Sequence, residues 1–319
     1  MSDVDWDALL NSYDQFYIFT HIRPDGDAIG SSLAWGKALE QYGKTVKIFC
    51  PDLIPLKYTF LPDINISNVF MPPGKTPTAA FTLDCSDLER LGYMKDDVLQ
   101  LDRIINIDHH GTNLHFGDNN LVDLTAAATG EIIYKLICDL RLELTEDMGL
   151  CLYTAISSDT GSFKYENTTP QTMYIAAKLL EKGINPSFVS MKIFDEISLS
   201  SLRLLNDSLH NLKIDKSGKI AWMSIDEKKL EKYGVKPSEL EGYINYAKNI
   251  LGVEVGLFFH HTEIEGTKVG FRSKTVDISA VASSMGGGGH PRAAGCTVMG
   301  APEAIETTVI QKITELLGL

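Results

Sequence analysis

Short apolar runs alternate with stretches of helical periodicity over the first 190 residues, and this alternation restricts the chain to few folds. Each run is short and rich in Val, Ile or Phe, which predicts buried strands. The runs are "FYIFTH" (16–21), "KTVKIFC" (44–50), "AAFTLDC" (79–85) and "RIINIDHH" (103–110). Residues 27–42 carry apolar side chains at helical spacing, and Gly43 is an expected helix stop. Such strand–helix–strand units predict an α/β fold with a parallel sheet and flanking helices.

A second region follows the polar stretch "DEISLSS" (195–201). A helix is predicted at about 202–212, and strands and helices then alternate in a pattern typical of a smaller α+β domain. The predicted strands cover 219–225, 253–261 and 267–273, and the predicted helices lie near 237–249, 277–285 and 302–317. We therefore predict domains at 1–192 and 213–319, joined by a linker or hinge helix over 193–212, with a cleft between the domains.

Composition excludes several classes of protein. The net charge of −13 argues against tight binding to long nucleic acid, which needs many Lys and Arg contacts to phosphates. No run of about 18 apolar residues is present, so no transmembrane helix is expected. The five cysteines are scattered without a CxxC pair, which predicts reduced thiols and no disulfide framework or zinc site. With an acidic N-terminus that does not resemble a secretory signal, this predicts a cytoplasmic protein.

Carboxylates and imidazoles follow three of the four predicted strands. In open parallel sheets, ligands bind outside the carboxyl ends of the strands, so these side chains should converge on one metal site. The candidates are His21, Asp25 and Asp27 after the first strand, Asp84 after the third, and Asp108, His109 and His110 at the fourth, with Asp159 in "AISSDTGSF" closing the set. Taken alone, Asp27 could be only a helix cap and Asp84 only a turn residue.

Four motifs together resemble the DHH phosphoesterase superfamily. They occur in order as "HIRPDGDAIGS", "LDCSD", "DHH" and "AISSDTGSF". The later "GGGGHPRAAG" (286–295) resembles the glycine-rich signature of the DHH-associated domain. The resemblance covers nearly the whole chain, and its length and domain pair are most similar to the bacterial nanoRNase and 3′-phosphoadenosine 5′-phosphate phosphatase group.

This resemblance implies two divalent metal ions with Asp84 as a shared ligand. One ion would be bound by His21, Asp25 and Asp84, and the other by Asp27, Asp84, His109 and Asp159. Mixed imidazole and carboxylate ligands favour Mn²⁺, with Mg²⁺ or Co²⁺ as alternatives. Two such ions would activate water for attack on phosphorus.

The resemblance leaves two residues of the "DHH" triplet for catalysis. His110 would contact the phosphoryl oxygens or protonate the leaving oxygen. Asp108 would orient a ligand histidine, although it could instead be a plain strand-end cap.

The glycine-rich signature is predicted to bind substrate. Glycines let backbone N–H groups approach an anion, and arginines pair with phosphate or a base edge in fork geometry. His290 could stack on a base or contact phosphate. A flexible glycine loop with surface arginines is the alternative. The predicted substrate-binding residues are Arg272, Gly287, Gly288, Gly289, His290 and Arg292.

We therefore predict an Mn²⁺-dependent phosphodiesterase and phosphatase acting on 2–5-mer RNA, pGpG, pApA and 3′-phosphoadenosine 5′-phosphate. Short RNA or a dinucleotide would be the partner, without long nucleic acid or membrane, and a homodimer is an open alternative. A cyclic-dinucleotide phosphodiesterase and a non-catalytic nucleotide sensor also remain open. Inorganic pyrophosphatases resemble the metal motifs but lack the "GGGGH" domain, and processive exonucleases carry extra domains and a basic groove.

Overall fold

The computed structural model describes residues 4–319, which divide into two compact units with the boundary between Glu196 and Ile197. Within residues 4–319, no helix is long and apolar enough to cross a membrane.

The first unit is built on a six-stranded parallel sheet with flanking helices. Its strands are β1 (Gln15–Phe19), β2 (Thr45–Phe49), β3 (Ile66–Ser67), β4 (Thr78–Leu83), β5 (Arg103–Asp108) and β6 (Asn119–Val122). Its α-helices are α1 (Trp6–Asn11), α2 (Gly26–Gln41), α3 (Lys95–Val98), α4 (Thr129–Asp139), α5 (Glu146–Asp159), α6 (Pro170–Leu180) and α7 (Pro186–Ser190). Short segments of other helix types lie at Leu56–Tyr58, Leu88–Met94 and Met191–Asp195. The predicted α/β class is confirmed.

Strand order explains where a ligand site can form. The order is β3-β2-β1-β4-β5-β6, and every pair is parallel. The chain therefore builds outward from β1 in one direction and from β4 in the other. Ligands bind at such a switch point, in the crevice outside the carboxyl ends of the strands. The two loops that follow β1 and β4 carry the first two predicted metal motifs.

Close packing of α2 against α5 brings the first metal motif, "HIRPDGDAIGS", next to the fourth, "AISSDTGSF". A Cβ atom on Gly30 would lie 2.3 Å from the Cys151 carbonyl oxygen, and one on Gly26 would lie 2.6 Å from the Ser158 Cβ. Only glycine permits this approach, since real Cβ atoms do not come so near to backbone. The start of α2 and the end of α5 are thereby held side by side, which places Asp159 at the sheet edge.

We expect Gly30→Ala to lower the free energy of unfolding by about 1–3 kcal/mol, the usual cost of overpacking a rigid core. The added methyl would meet backbone that cannot move aside. Gly149→Ala is the matched control on α5, because its Cβ would make an ordinary 3.5 Å contact with Ile184. Its higher helix propensity should leave stability unchanged or raise it by up to about 1 kcal/mol. Urea unfolding in a metal chelator measures the free energy of unfolding of both variants. Equal losses in Gly30→Ala and Gly149→Ala would contradict the packing argument.

The second unit is a mixed six-stranded sheet covered by helices on both faces. Its strands are β7 (Lys213–Ile214), β8 (Ile220–Asp226), β9 (Val255–Thr262), β10 (Gly266–Ser273), β11 (Gly288–His290) and β12 (Ala293–Val298), in the order β11-β12-β10-β9-β8-β7. Its helices are α8 (Leu199–His210), α9 (Glu227–Tyr233), α10 (Tyr243–Lys248), α11 (Ser279–Ser284) and α12 (Pro302–Leu316), with a single turn at Pro237–Leu240. Only β8 and β9 pair in parallel.

The segment predicted as a linker contains a helix that packs into the second unit. Leu204 and Leu205 of α8 are buried in the same core as Met223 of β8. The Ser201 carbonyl also accepts a hydrogen bond from the Tyr243 hydroxyl. Residues 199–210 are therefore part of this unit's core, while the predicted domain limits and the hinge role remain predictions.

Candidate active site

Asp84 occupies the point where β4 ends, and its two oxygens face different histidines. Its backbone has φ 59°, a left-handed conformation that Asp tolerates better than most residues, and its N–H donates to the Ile107 carbonyl at 3.0 Å. Oδ2 lies 3.3 Å from His21 Nε2, while Oδ1 lies 3.6 Å from His109 Nε2. Thr129 Oγ1 donates to Oδ1 at 3.1 Å. A buried carboxylate turned to both sides in this way is placed as a shared ligand would be.

The first cluster joins His21, Asp25 and Asp84. His21 Nδ1 lies 2.8 Å from the Ile22 carbonyl oxygen, which assigns the proton to Nδ1 and leaves the Nε2 lone pair facing the carboxylates. This Nε2 is buried and makes no hydrogen bond within residues 4–319. Asp25 caps α2 with Oδ1, at 3.0 Å from the Ala28 nitrogen, and places Oδ2 3.8 Å from His21 Nε2. A buried imidazole nitrogen without a donor fits a metal ligand.

The second cluster joins Asp27, His109 and Asp159. His109 Nε2 lies 3.2 Å from Asp159 Oδ2 and 3.8 Å from Asp27 Oδ2. The Asp27 side chain is fully buried and accepts hydrogen bonds from the backbone nitrogens of Thr129, at 2.6 Å, and Gly130, at 2.9 Å. It therefore lies against the start of α4, where backbone donors stabilise negative charge. The helix-cap role considered for Asp27 belongs to Asp25, the N-cap of α2.

The packing of these charges calls for a cation. Burial, together with the nearby Asp84 and Asp159 carboxylates, raises the pKa of Asp27 well above its usual value. For His109, burial lowers the pKa, but the carboxylates of Asp159 and Asp84 outweigh it and raise the pKa well above its ordinary value. The carboxylates and imidazoles can therefore share protons, and a divalent cation would replace those protons.

In the part of the chain that the structure describes, three groups of side chains have ligand atoms that all lie within 4.8 Å of one another. Two of them are the clusters described above. They bring together the residues of the predicted ligand sets, except that Asp84 is grouped with His21 and Asp25 and not with Asp27 and Asp159. The groups are His21–Asp25–Asp84, Asp27–His109–Asp159 and Asp84–His109–His110. Their mixed nitrogen and oxygen donors fit divalent transition metals.

Asp108 contacts His110, whereas a ligand histidine was the predicted partner. Its Oδ1 lies 2.7 Å from His110 Nδ1 and accepts the backbone N–H of His109 at 2.8 Å. The ring of His109 instead has Nδ1 3.4 Å from the Ala126 carbonyl oxygen. Because Nδ1 of His110 faces a carboxylate, it carries a proton.

The glycine-rich signature forms an edge β-hairpin of the second sheet. Strand β11 pairs antiparallel with β12. A Cβ atom on Gly287 would lie 2.1 Å from the Gly295 carbonyl oxygen, and one on Gly289, at φ 140°, would lie 2.5 Å from the Ala293 carbonyl oxygen. These two glycines are thus required by the hairpin itself. Gly288 would meet nothing within 4 Å, so its backbone is open to a ligand.

Register places Arg272 and His290 on one face of the second sheet. Ala293 pairs with Arg272 of β10 on one side and with His290 of β11 on the other. Directly paired residues project to the same face, so the two side chains stand two strand spacings apart, about 10 Å, with a methyl group between them. Arg292 follows β11 in the connecting turn. The neighbouring row is Gly270, Gly295 and Gly288. Gly288 and Gly295 therefore leave backbone without side chains beside Arg272 and His290, whereas Gly270 lies against α10, where an added Cβ would be 3.3 Å from Ile244 Cδ1.

Sequence reasoning missed the residues of α4 that hold the carboxylates. Thr129 bonds to both Asp27 and Asp84, and Gly130 donates to Asp27. A Cβ atom on Gly130 would lie 2.7 Å from the Ala155 Cβ, so glycine is required there. The small-residue run "AAATG" (126–130) before the helix was the only available signal.

These features define a two-unit protein of the DHH class, and comparisons with known proteins agree. The chain belongs to the DHH family: the model for the DHH family, N-terminal domain, matches residues 15–156, and the DHHA1 domain model matches residues 217–318.

Relatives match over most of the chain. The bifunctional oligoribonuclease and PAP phosphatase NrnA of Thermus thermophilus is 33% identical, over 89% of this chain and 84% of its own length. The protein of the same name from Bacillus subtilis is 27% identical, over 92% of this chain and 93% of its own. A solved structure of an exopolyphosphatase-related protein from Bacteroides fragilis superposes with a TM-score of 0.89 at 26% identity, covering 98% of this chain and 96% of that one.

Proposed function

We propose that this protein hydrolyses phosphoester bonds of short oligoribonucleotides (2–5-mers, pGpG and pApA) to mononucleotides, and of 3′-phosphoadenosine 5′-phosphate to AMP. Two divalent metal ions, Mn²⁺ in preference to Mg²⁺ or Co²⁺, would be the cofactors. The main support for this proposal is the position of Asp84, whose two oxygens face His21 on one side and His109 on the other. The names of the Thermus and Bacillus relatives support the same substrate class.

The ligands divide into two sets that share Asp84. His21 and Asp25 would complete one set, and Asp27, His109 and Asp159 would complete the other. When bound, the ions would supply an activated water and neutralise charge on the phosphoryl oxygens. The protein supplies the rigid carboxylates, because Asp27 and Asp84 are each held by donors from α4.

His110 is proposed to act on the substrate directly. Its Nδ1–H faces the Asp108 carboxylate at 2.7 Å, so in the doubly protonated ring Nε2–H would donate a proton to the leaving oxygen or a hydrogen bond to a phosphoryl oxygen. Asp108 would keep the proton on Nδ1 and stabilise the positive charge that this role requires. A ligand role for His110 is the competing assignment, since its ring also lies within ligand range of Asp84.

The second unit is proposed to bind the rest of the nucleotide. The backbone without side chains at Gly288 and Gly295 could receive a base, with Arg272 and His290 in the adjoining row. Arg292 adds a guanidinium in the neighbouring turn for phosphate.

A kinetic comparison with Mn²⁺ tests the proposal. The substrates are 3′-phosphoadenosine 5′-phosphate, pGpG, a 5-mer, a 24-mer and cyclic di-AMP. We expect metal-dependent release of AMP or mononucleotides from the first three and little from the 24-mer. A preference for cyclic di-AMP would instead identify a cyclic-dinucleotide phosphodiesterase. Binding without any metal-dependent product would identify a nucleotide sensor.

We expect Arg292→Ala to impair cleavage of pGpG by about ten- to a hundredfold in kcat/KM. Loss of one charge-assisted contact costs about 1.5–3 kcal/mol, and each 1.4 kcal/mol is about tenfold. Hydrolysis of bis-p-nitrophenyl phosphate needs no contact with Arg292 and should be nearly unchanged. Arg203→Ala, at an exposed arginine of α8, is the control variant and should affect neither substrate. Equal losses on both substrates would assign Arg292 to the metal centre or to folding.

A further inference from the structure

Asn113 follows β5 and places its side-chain amide against Asp108. Asn113 Nδ2 donates to Asp108 Oδ2 at 2.6 Å, while the other oxygen of that carboxylate, Oδ1, contacts His110 Nδ1 at 2.7 Å. The two contacts use opposite oxygens of one fully buried carboxylate. Asn113 is thus linked to the His110 ring through a single intervening side chain.

The orientation of the Asn113 amide is fixed by its own partners. Its Oδ1 accepts the backbone N–H of His115 at 2.7 Å, so the amide nitrogen faces Asp108. The same nitrogen lies 2.8 Å from Asn106 Oδ1. Asn106 is itself buried and donates to the Cys85 carbonyl at 3.0 Å. A chain of amides therefore runs from the sheet interior to Asp108 and leaves the carboxylate no freedom to turn.

Both oxygens of the Asp108 side chain face hydrogen-bond donors. Oδ1 receives the His109 backbone N–H and faces His110, and Oδ2 receives Asn113. Without the Asn113 amide, a buried oxygen loses its donor, and unsatisfied buried acceptors cost about 1–3 kcal/mol. The carboxylate would then rotate toward other donors and release Nδ1 of His110.

We infer that Asn113 is a positioning residue, which holds Asp108 so that His110 keeps its proton on Nδ1 and presents Nε2 to the substrate. The expected effect on the reaction rate rests on the proposed function, whereas the expected effect on the His110 ring does not. Removal of the amide should lower kcat and leave the metal ligands in place, because the side-chain hydrogen bonds of Asn113 go to Cys85, Asn106, Asp108 and His115.

A double-mutant cycle with His110→Ala tests this route. We expect Asn113→Ala to lower kcat for pGpG about 10- to 100-fold, the range typical of groups that orient a functional residue, with unchanged metal content. Added to His110→Ala, it should change kcat by less than about twofold, because residues acting through one another are not additive. Losses that multiply, or loss of bound metal, would overturn the inference.

Two further variants separate positioning from a general structural role. Asn113→Asp keeps the shape but points an acceptor at Asp108, so its loss of kcat should be at least as large as that of Asn113→Ala. A larger loss for Ala would contradict the inference. Asn120→Ala, on β6, removes an amide that exchanges two hydrogen bonds with Gly117, and it should leave kcat within about twofold.

A spectroscopic readout is independent of turnover. In the full chain loaded with diamagnetic Mg²⁺, ¹⁵N NMR of the His110 ring, assigned with His110→Ala, reports which nitrogen is protonated. At a pH where the ring is neutral, we expect Nδ1–H in the wild type and a tautomer mixture in Asn113→Ala. The same tautomer in both would overturn the inference. Should the wild type cleave none of the substrates while this difference appears, the proposed function fails and the positioning role stands.

Discussion

Asp84→Asn is expected to abolish turnover and to weaken binding of both metal ions. The substitution keeps the size of the side chain and tolerates the left-handed backbone at φ 59°, which Ala would tolerate less well. It removes the negative charge from the one carboxylate that faces both His21 and His109. Changes around a ligand cost 10- to 100-fold in metal affinity, so loss of a shared ligand should cost more than about 100-fold at each site.

Calorimetric titration with MnCl₂ and metal analysis of the purified protein measure this effect. The matched control is Asp123→Asn, at the carboxyl end of β6 in the same sheet, where the carboxylate pairs with Lys135 at 2.8 Å. That variant should bind metal as the wild type does. Two tightly bound Mn²⁺ per chain in Asp84→Asn would rule out the shared position.

Convergence of the metal motifs was predictable because parallel strands end at one sheet edge. His21 follows β1 and Asp84 follows β4, and these two strands pair in parallel. His109 follows β5, which pairs in parallel with β4. Any chain with polar residues at those three strand ends brings them together. The prediction therefore depended on strand direction alone, which periodicity and the length of the connecting segments reveal.

Individual contacts within the site could not be predicted in the same way. Asp108 lies next to His109 in the chain, yet its side chain bonds to the ring of His110. This choice depends on side-chain rotation and on Asn113, which occupies the other oxygen. Thr129 and Asp84 are 45 residues apart in the sequence, so no local sequence pattern predicts their hydrogen bond.

The shortest strands also escaped prediction, for a physical reason. Strands β3, β6 and β11 have few residues and lack an apolar run; β6 is "NNLV" and β11 is "GGH". Such segments become strands only because a neighbour offers a paired edge. For β11 that neighbour is β12, where Gly295 leaves room for Gly287. The strand propensity of a short segment does not depend on whether such a partner is present, so it cannot predict the pairing.

His110→Ala is expected to keep both metal ions and to lose most of the rate. General acid–base groups contribute about 10²–10⁴-fold, and the loss should fall mainly in kcat, because the imidazole is proposed to act on the transition state. Asp108 keeps its contacts to the His109 nitrogen and to Asn113, so the fold should survive. His115→Asn is the matched control, since it removes an exposed imidazole at a nearby position whose left-handed backbone Asn tolerates. Metal content, thermal stability and pGpG turnover are measured together. If metal is lost in step with activity, His110 is a ligand, as its 3.6 Å approach to Asp84 would then indicate.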